Sequence, residues 1–417
     1  MTILGLALAL ASPSPAEDPP AAPSAGALFE QVLADEGLDA ALARLREVIA
    51  DTARAYTIEP FELLRAIPTR LVLKHMRTEA LELLKLQTDL FADSQPYWSE
   101  LGTAHLRCGN KDEAHAAFTK ALEMSPDRKD IAWTLAHLDQ LLATARLQVE
   151  REDVLIPGAS TGLQGSCLGQ TPPGRTPVVF APGIVSTTAH EYHISFAPDG
   201  REIYFSRGGA GTFVSRWRED GWTVPEIVYF IDADHLTEEA NVLPDGSGIV
   251  FCGRQELRSE RELYRAARAG SGWGAPVKLF PGMYATATLD GTLYYTDRGV
   301  GRDYGAIVKR RWTGEVYGES EVVAGEGINS DFPDAHPFVA PDESLLLFDS
   351  YREPGAGIYA SFGRDGSWGK AVLLNEILEI PPAGQCALSP DGRYLFFCMA
   401  GDLYWVDAGF LNELRDE

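Results

Sequence analysis

The chain has 417 residues, 45% of them hydrophobic, with 60 acidic against 36 basic side chains and a formal charge of −24. That length and apolar content exclude a disordered protein and allow two or three domains with sizeable cores. The acidity excludes a nucleic-acid surface, which needs Lys and Arg in excess to release counterions. It reads as a solvated surface of the kind that keeps a secreted or salt-exposed protein soluble, the alternative being a cation-binding role.

In chain order, residues 3–11 form the apolar run ILGLALALA, followed by S-P-S-P-A with small residues suited to cleavage after Ala16. This pattern is that of a secretory signal, although no Lys or Arg precedes the run. With the Pro- and Ala-rich stretch after it, 1–26 is expected to be a signal segment and linker. The expected location is the periplasm or cell surface, with the cytoplasm as the alternative. No stretch reaches the roughly 18 apolar residues of a membrane span, so no transmembrane segment is expected in the mature chain.

From 27 to 146 the pattern is helical. Trp98, Leu101, Gly102, Ala114, Phe118, Ala121 and Pro126 fall at the spacing W-x2-L-G, then A-x3-F-x2-A, then P. Small Gly102 and Ala114 would let two antiparallel helices approach, Trp98 and Phe118 would fill the space between them, and Pro126 would end the second. The spacing resembles the tetratricopeptide repeat, with His105 where Tyr is usual. Stepping back 34 residues, Leu64, Leu71, Ala80 and Leu84 mark a degenerate copy over 61–94, in which Pro68 replaces the glycine. The run 38–53 carries another helical pattern, and one helix over 127–146 is expected to cap the stack. The resemblance implies a groove for a peptide or partner segment; the alternative is an intramolecular brace.

A linker is expected over 147–176. It contains G-A-S-T-G, in which Ser160 matches the string of a hydrolase nucleophile elbow without the strand-to-helix context that motif requires. No catalytic role is assigned to Ser160. Nor do His190, Glu191 and His193 make a zincin motif, since H-E-x-H is one residue short.

From 177 to 417, P-D-G or a near copy recurs at Asp199, Asp245, Asp290, Asp342 and Asp391, in steps of 46, 45, 52 and 49 residues. Each copy separates two short apolar runs, as in HISFAPDGREIYFSR, and most second runs end near an arginine: Arg207, Arg254, Arg298 and Arg352. Trp222, Trp273 and Trp368 follow in three units and are expected to pack between neighbouring sheets. This is the period of four-stranded units around an axis. It resembles the WD40-like, TolB-type β-propeller, which implies a fold and no single function. The last unit lacks a fourth strand, but TPVVFAPGI (176–184) aligns with APVKLFPGM, which ends the second unit. Strand 177–181 is therefore expected to close a fifth blade. The fold class is multidomain: all-α tetratricopeptide repeats, then an all-β propeller of five blades. Among the five cysteines, Cys252 and Cys398 occupy one place in two repeats and read as small buried thiols. A Cys386–Cys398 disulfide is open to geometry.

Aligning the units on the turn places His193, Glu239, Tyr284, His336 and Gln385 five residues before the turn proline, or before Leu289 in its place. Strand alternation would put Glu191 beside His193 and Asp334 beside His336, all facing the central channel. These seven are the candidate ligand-binding ring. A divalent metal on His193, Glu239 and His336 is possible, although no cofactor is predicted; the alternative is a hydrated polar plug. The favoured reading is an exported, non-enzymatic recognition or scaffold protein that binds a protein or peptide, or a polar ligand such as a glycan. The rival is a propeller enzyme, a metal-assisted lyase or hydrolase.

Overall fold

The computed structural model describes residues 23–51, 55–60, 62–152, 154–255, 260–299, 305–352 and 355–416. The first 22 residues of the expected signal segment lie outside them. The chain divides into two compact units, up to Glu59 and from Pro60 onward. In the first, α1 (Ala25–Glu36) and α2 (Leu38–Ala50) form a helical hairpin. The Ser24 hydroxyl caps α1 by accepting from Gly26 and Ala27 N–H.

The second unit opens with a π-helical turn, Glu62–Ala66, running into α3 (Ile67–Leu73). The wider turn precedes Pro68, whose missing N–H cannot continue a regular ladder. The first helix of the degenerate copy thus forms with Pro68 in its first turn. Next come α4 (Arg77–Leu90), α5 (Gln95–Arg107) and α6 (Lys111–Met124). The α5–α6 pair bears out the repeat spacing: a Cβ on Gly102 would stand 2.8 Å from the Phe118 ring. The capping helix is two helices, α7 (Lys129–Ala136) and α8 (Leu138–Glu152), broken at His137. There the imidazole stacks on Trp133 and its Nδ1 meets the Trp133 carbonyl at 2.8 Å.

The segment after α8 is no free tether. Gly158 N–H donates to Val224 O and Thr161 N–H to Trp222 O, and Ser160 bridges Thr223 in the first blade. The Ser160 hydroxyl donates to Asp220 O at 3.0 Å.

Five antiparallel sheets follow, each read outward from an inner strand: Glu191–Phe196, Leu236–Val242, Met283–Ala287, Asp334–Val339 and Gly384–Leu388. The recurring aspartate has a local cause. All five side chains, at Asp199, Asp245, Asp290, Asp342 and Asp391, accept the N–H two residues on, at 2.9–3.1 Å. The residue between takes positive φ: glycine in four turns, Glu343 in the fourth blade. Val178 and Val179 pair with Trp405 and Tyr404, so an early strand completes the last blade and closes the ring. Between blades the core is aromatic: Tyr204, Phe251, Tyr295, Phe348 and Phe396 are fully buried. Trp273 Nε1 reaches Tyr204 Oη at 3.1 Å and Trp368 stands edge-on to Tyr294, as expected of inter-sheet packing. All five cysteines are free, so no Cys386–Cys398 disulfide forms.

Candidate functional site

The five aligned ring positions share a backbone device that strand alternation does not reveal. His193, Glu239, Tyr284, His336 and Gln385 all have positive φ, between 50° and 57°. Each lies where the pairing of its inner strand slips by one residue. These are β-bulges, which free an N–H from the ladder and re-aim a side chain. Four of the freed N–H groups are caught by a side chain of the preceding blade: Glu239 by Ser206 Oγ, Tyr284 by Glu239 Oε2, His336 by Thr296 Oγ1 and Gln385 by Asp349 Oδ1. The bulges thereby stitch the blades around the channel.

The same slip corrects the expectation for Glu191 and Asp334, which do not share a face with the neighbouring imidazoles. Glu191 is fully buried in a pair with Arg207 at 3.0 Å, and Asp334 with Arg352 at 2.7 Å. Both clasp the inner strand to the second. Glu238 and Arg254 make the corresponding pair in the second blade, also at 3.0 Å.

Inside the channel the Tyr284 ring stands edge-on to both imidazoles, with centroids 5.1 Å from His193 and 5.1 Å from His336. The phenol donates to Cys386 O at 2.9 Å. His193 is fully buried, and neither ring nitrogen has a hydrogen-bond partner. Burial drives its pKa down to about 3; the Asn241 amide opposes this and His336 adds to it. His336 behaves oppositely. Burial lowers its pKa, but the Asp349 carboxylate, with both oxygens within 3.0 Å of Nδ1, outweighs this and raises it. Among the described residues no group of three or more His, Cys, Asp or Glu could hold a metal ion. His193, Glu239 and His336 therefore do not converge as a ligand set.

Helices α5, α7 and α8 stand over this channel mouth and leave a chamber of about 670 Å³. Its floor includes Glu239, His336, Gln385, Tyr192, Arg261 and Tyr351, while Arg65, Arg107, Arg128 and Gln148 line its roof. His193 and Tyr284 lie outside the lining. The roof is fastened by polar contacts. Arg107 donates to Gly401 O at 3.2 Å, Gln148 to Asp402 at 2.8 Å and Arg151 to Pro182 O at 2.9 Å. Glu152 accepts from Arg77 and from the Thr188 hydroxyl, both at 2.7 Å. Asp402 is held up at about 7 by burial, against the pull of Arg107. His190, beside Arg65 and Arg107, is lowered well below 6.5, chiefly by burial. None of the roof arginines, nor Asp349 or Asp402, carried a sequence signal, and His190 entered only through the rejected H-E-x-H string, because only the docking of helices on the propeller brings them together.

Residues 95–128 match the tetratricopeptide repeat family. No curated protein matches the chain. Solved structures similar to it include a TolB protein from Agrobacterium tumefaciens, 19% identical, covering 51% of this chain and 70% of that one at a TM-score of 0.36. A gluconolactonase from Xanthomonas campestris is 17% identical, over 52% and 85%, at 0.33. Hydrazine synthase from Kuenenia stuttgartiensis is 18% identical, over 51% and 56%, at 0.33. No activity is carried over from them. The chain joins helical repeats to a five-bladed propeller, two folds typical of protein-interaction modules. Among the described residues no helix is long and apolar enough to cross a membrane.

Proposed function

We propose that this is an exported, non-enzymatic recognition protein that takes a peptide segment of a protein partner into the chamber between α5, α7, α8 and the propeller mouth. The chamber itself carries the reading. Its volume of about 670 Å³ lies in the usual range for ligand sites, and its walls mix apolar Leu106, Ile131 and Leu141 with hydrogen-bonding groups. A roof packed on the propeller leaves room for an extended segment rather than a folded domain. The helical repeats then serve both expectations, as a brace against the propeller and as one wall of the groove.

The test is retention of random hexapeptides on immobilised protein, read by mass spectrometry, for the wild type and for Ser99→Trp, which fills the chamber from the roof. Retention by the wild type and its loss in a variant of unchanged melting temperature is the expected result. Equal retention by both, or none by the wild type, overturns the reading.

A further inference from the structure

The chamber wall contains five carboxylates and five arginines, and the two sets are used unequally. Every carboxylate has a partner in the protein: Glu100 with Arg65, Asp130 with Arg128, Asp349 with His336, Asp402 with Gln148, and Glu239 with the Tyr284 N–H. Only Arg65 and Arg128 make close ion pairs with these acids; Arg107 acts on Asp402, and Glu239 and Glu238 act on Arg261, through space alone. Arg107 donates to a carbonyl and Arg261 to the Met283 sulfur, and neither forms an ion pair among the described residues.

Arg298 adds an independent observation from the repeat. At the end of the second strand in three other blades, Arg207, Arg254 and Arg352 each clasp a carboxylate of the inner strand. In the third blade the inner-strand places that hold those acids are Gly282 and Met283. Arg298 is therefore without the acid its counterparts bind. It is exposed and lines the chamber mouth.

We infer that the chamber reads a carboxylate on its ligand, a peptide C-terminus or a small carboxylic acid, through Arg298 and Arg261, with Arg107 above. This rests on the chamber being the binding seat. Guanidinium forks match carboxylate oxygens two at a time, and among the described residues no lysine lines the chamber. With five acids already in the wall, a carboxylate group, which bears a single charge, is accommodated where two charges concentrated on one phosphate would be repelled.

The experiment offers random hexapeptides as free acids and as C-terminal amides to the wild type, Arg298→Gln and Arg261→Gln, with sodium succinate and inorganic phosphate as competitors. Free acids should be retained at least about tenfold better than amides, because a site built to bond a group rejects the analogue lacking it. Each variant should lose most of that preference, with partial recovery in Arg298→Lys. Displacement by succinate would point to a small acid as the source; resistance to it would point to a peptide end. Equal retention of acids and amides overturns the inference while leaving the peptide seat intact. Stronger displacement by phosphate than by succinate also overturns it. No retention of either pool, with no thermal stabilisation by succinate, overturns both readings. Arg298 is exposed, so Arg298→Gln tests the idea without risk to folding.

Discussion

Gln148, near the end of α8, donates its side-chain amide to the carboxylate of half-buried Asp402 at 2.8 Å, joining the helical roof to the hairpin of the last blade. The contact sits among others that fasten the same roof, including Arg107 to Gly401 O and the Thr188 hydroxyl to Glu152. None of these is apolar. Apolar packing adds to them, Trp133 of α7 against the core of the last two blades and Leu73 of α3 against that of the first and last, so the polar share of the hold is the part that depends on charge.

Asp402 is the first test of this. Its pKa is raised from 3.8 to about 7, mainly by burial, so the folded protein binds its proton more tightly than the unfolded chain. The contribution is full below pH 3.8 and is lost as pH rises toward 7. Asp402→Asn keeps an acceptor for Gln148 and removes the charge. The variant should gain about 1–4 kcal/mol over the wild type at pH 8, and the gain should vanish near pH 4. Denaturant titrations at the two pH values decide it; a variant less stable at pH 8 would refute the account.

The sequence disclosed the propeller because its recurring Asp has one local job, accepting the N–H two residues on, and so must return in every blade. The fifth-blade closure was legible in the likeness of 176–184 to 275–283. The helical repeat was legible at Gly102 and Phe118 because a close helix contact tolerates few residue types. The bulges were not, since the side chains at the five positions differ and nothing in them announces positive φ. Alternation then placed Glu191 and Asp334 on the wrong face. The chamber was equally hidden: Arg107 meets Gly401 across most of the chain, through polar contacts that leave no periodicity.

Phe180 tests the closure. It is fully buried, its N–H donates to Leu403 O at 2.8 Å, and its ring packs edge-on against Phe396 and Trp405. Phe180→Ala should cost about 3–5 kcal/mol, as large truncations in packed cores do. Phe180→Asp should cost more, by burying a charge. A loss below about 1 kcal/mol for Phe180→Ala would mean the strand is dispensable to the fifth blade.

His193 gives a pH effect of opposite sign. Its pKa of about 3 lies below the ordinary 6.5, so its contribution is present above pH 6.5 and is lost as pH falls toward 3. His193→Asn cannot take up that proton. The variant's stability relative to wild type should therefore improve by about 2 kcal/mol between pH 7.5 and pH 5. A difference that does not change with pH would show that the imidazole titrates normally.

Gln385 separates backbone strain from side-chain chemistry. Its φ of 52° is a left-handed conformation that costs a non-glycine residue about 1–2 kcal/mol. Its N–H, bonded to Asp349, survives any substitution except proline. Gln385→Gly should thus be neutral or stabilising by up to about 1 kcal/mol, while Gln385→Val, branched at Cβ, should cost about 1–2 kcal/mol. Ala387, two residues on and in regular pairing with Phe396, is the control. There glycine should cost about 0.5–1 kcal/mol from backbone freedom alone, with lost methyl packing added. Opposite signs for glycine at the two positions locate the strain at the bulge; equal losses would show that the ring is held without it.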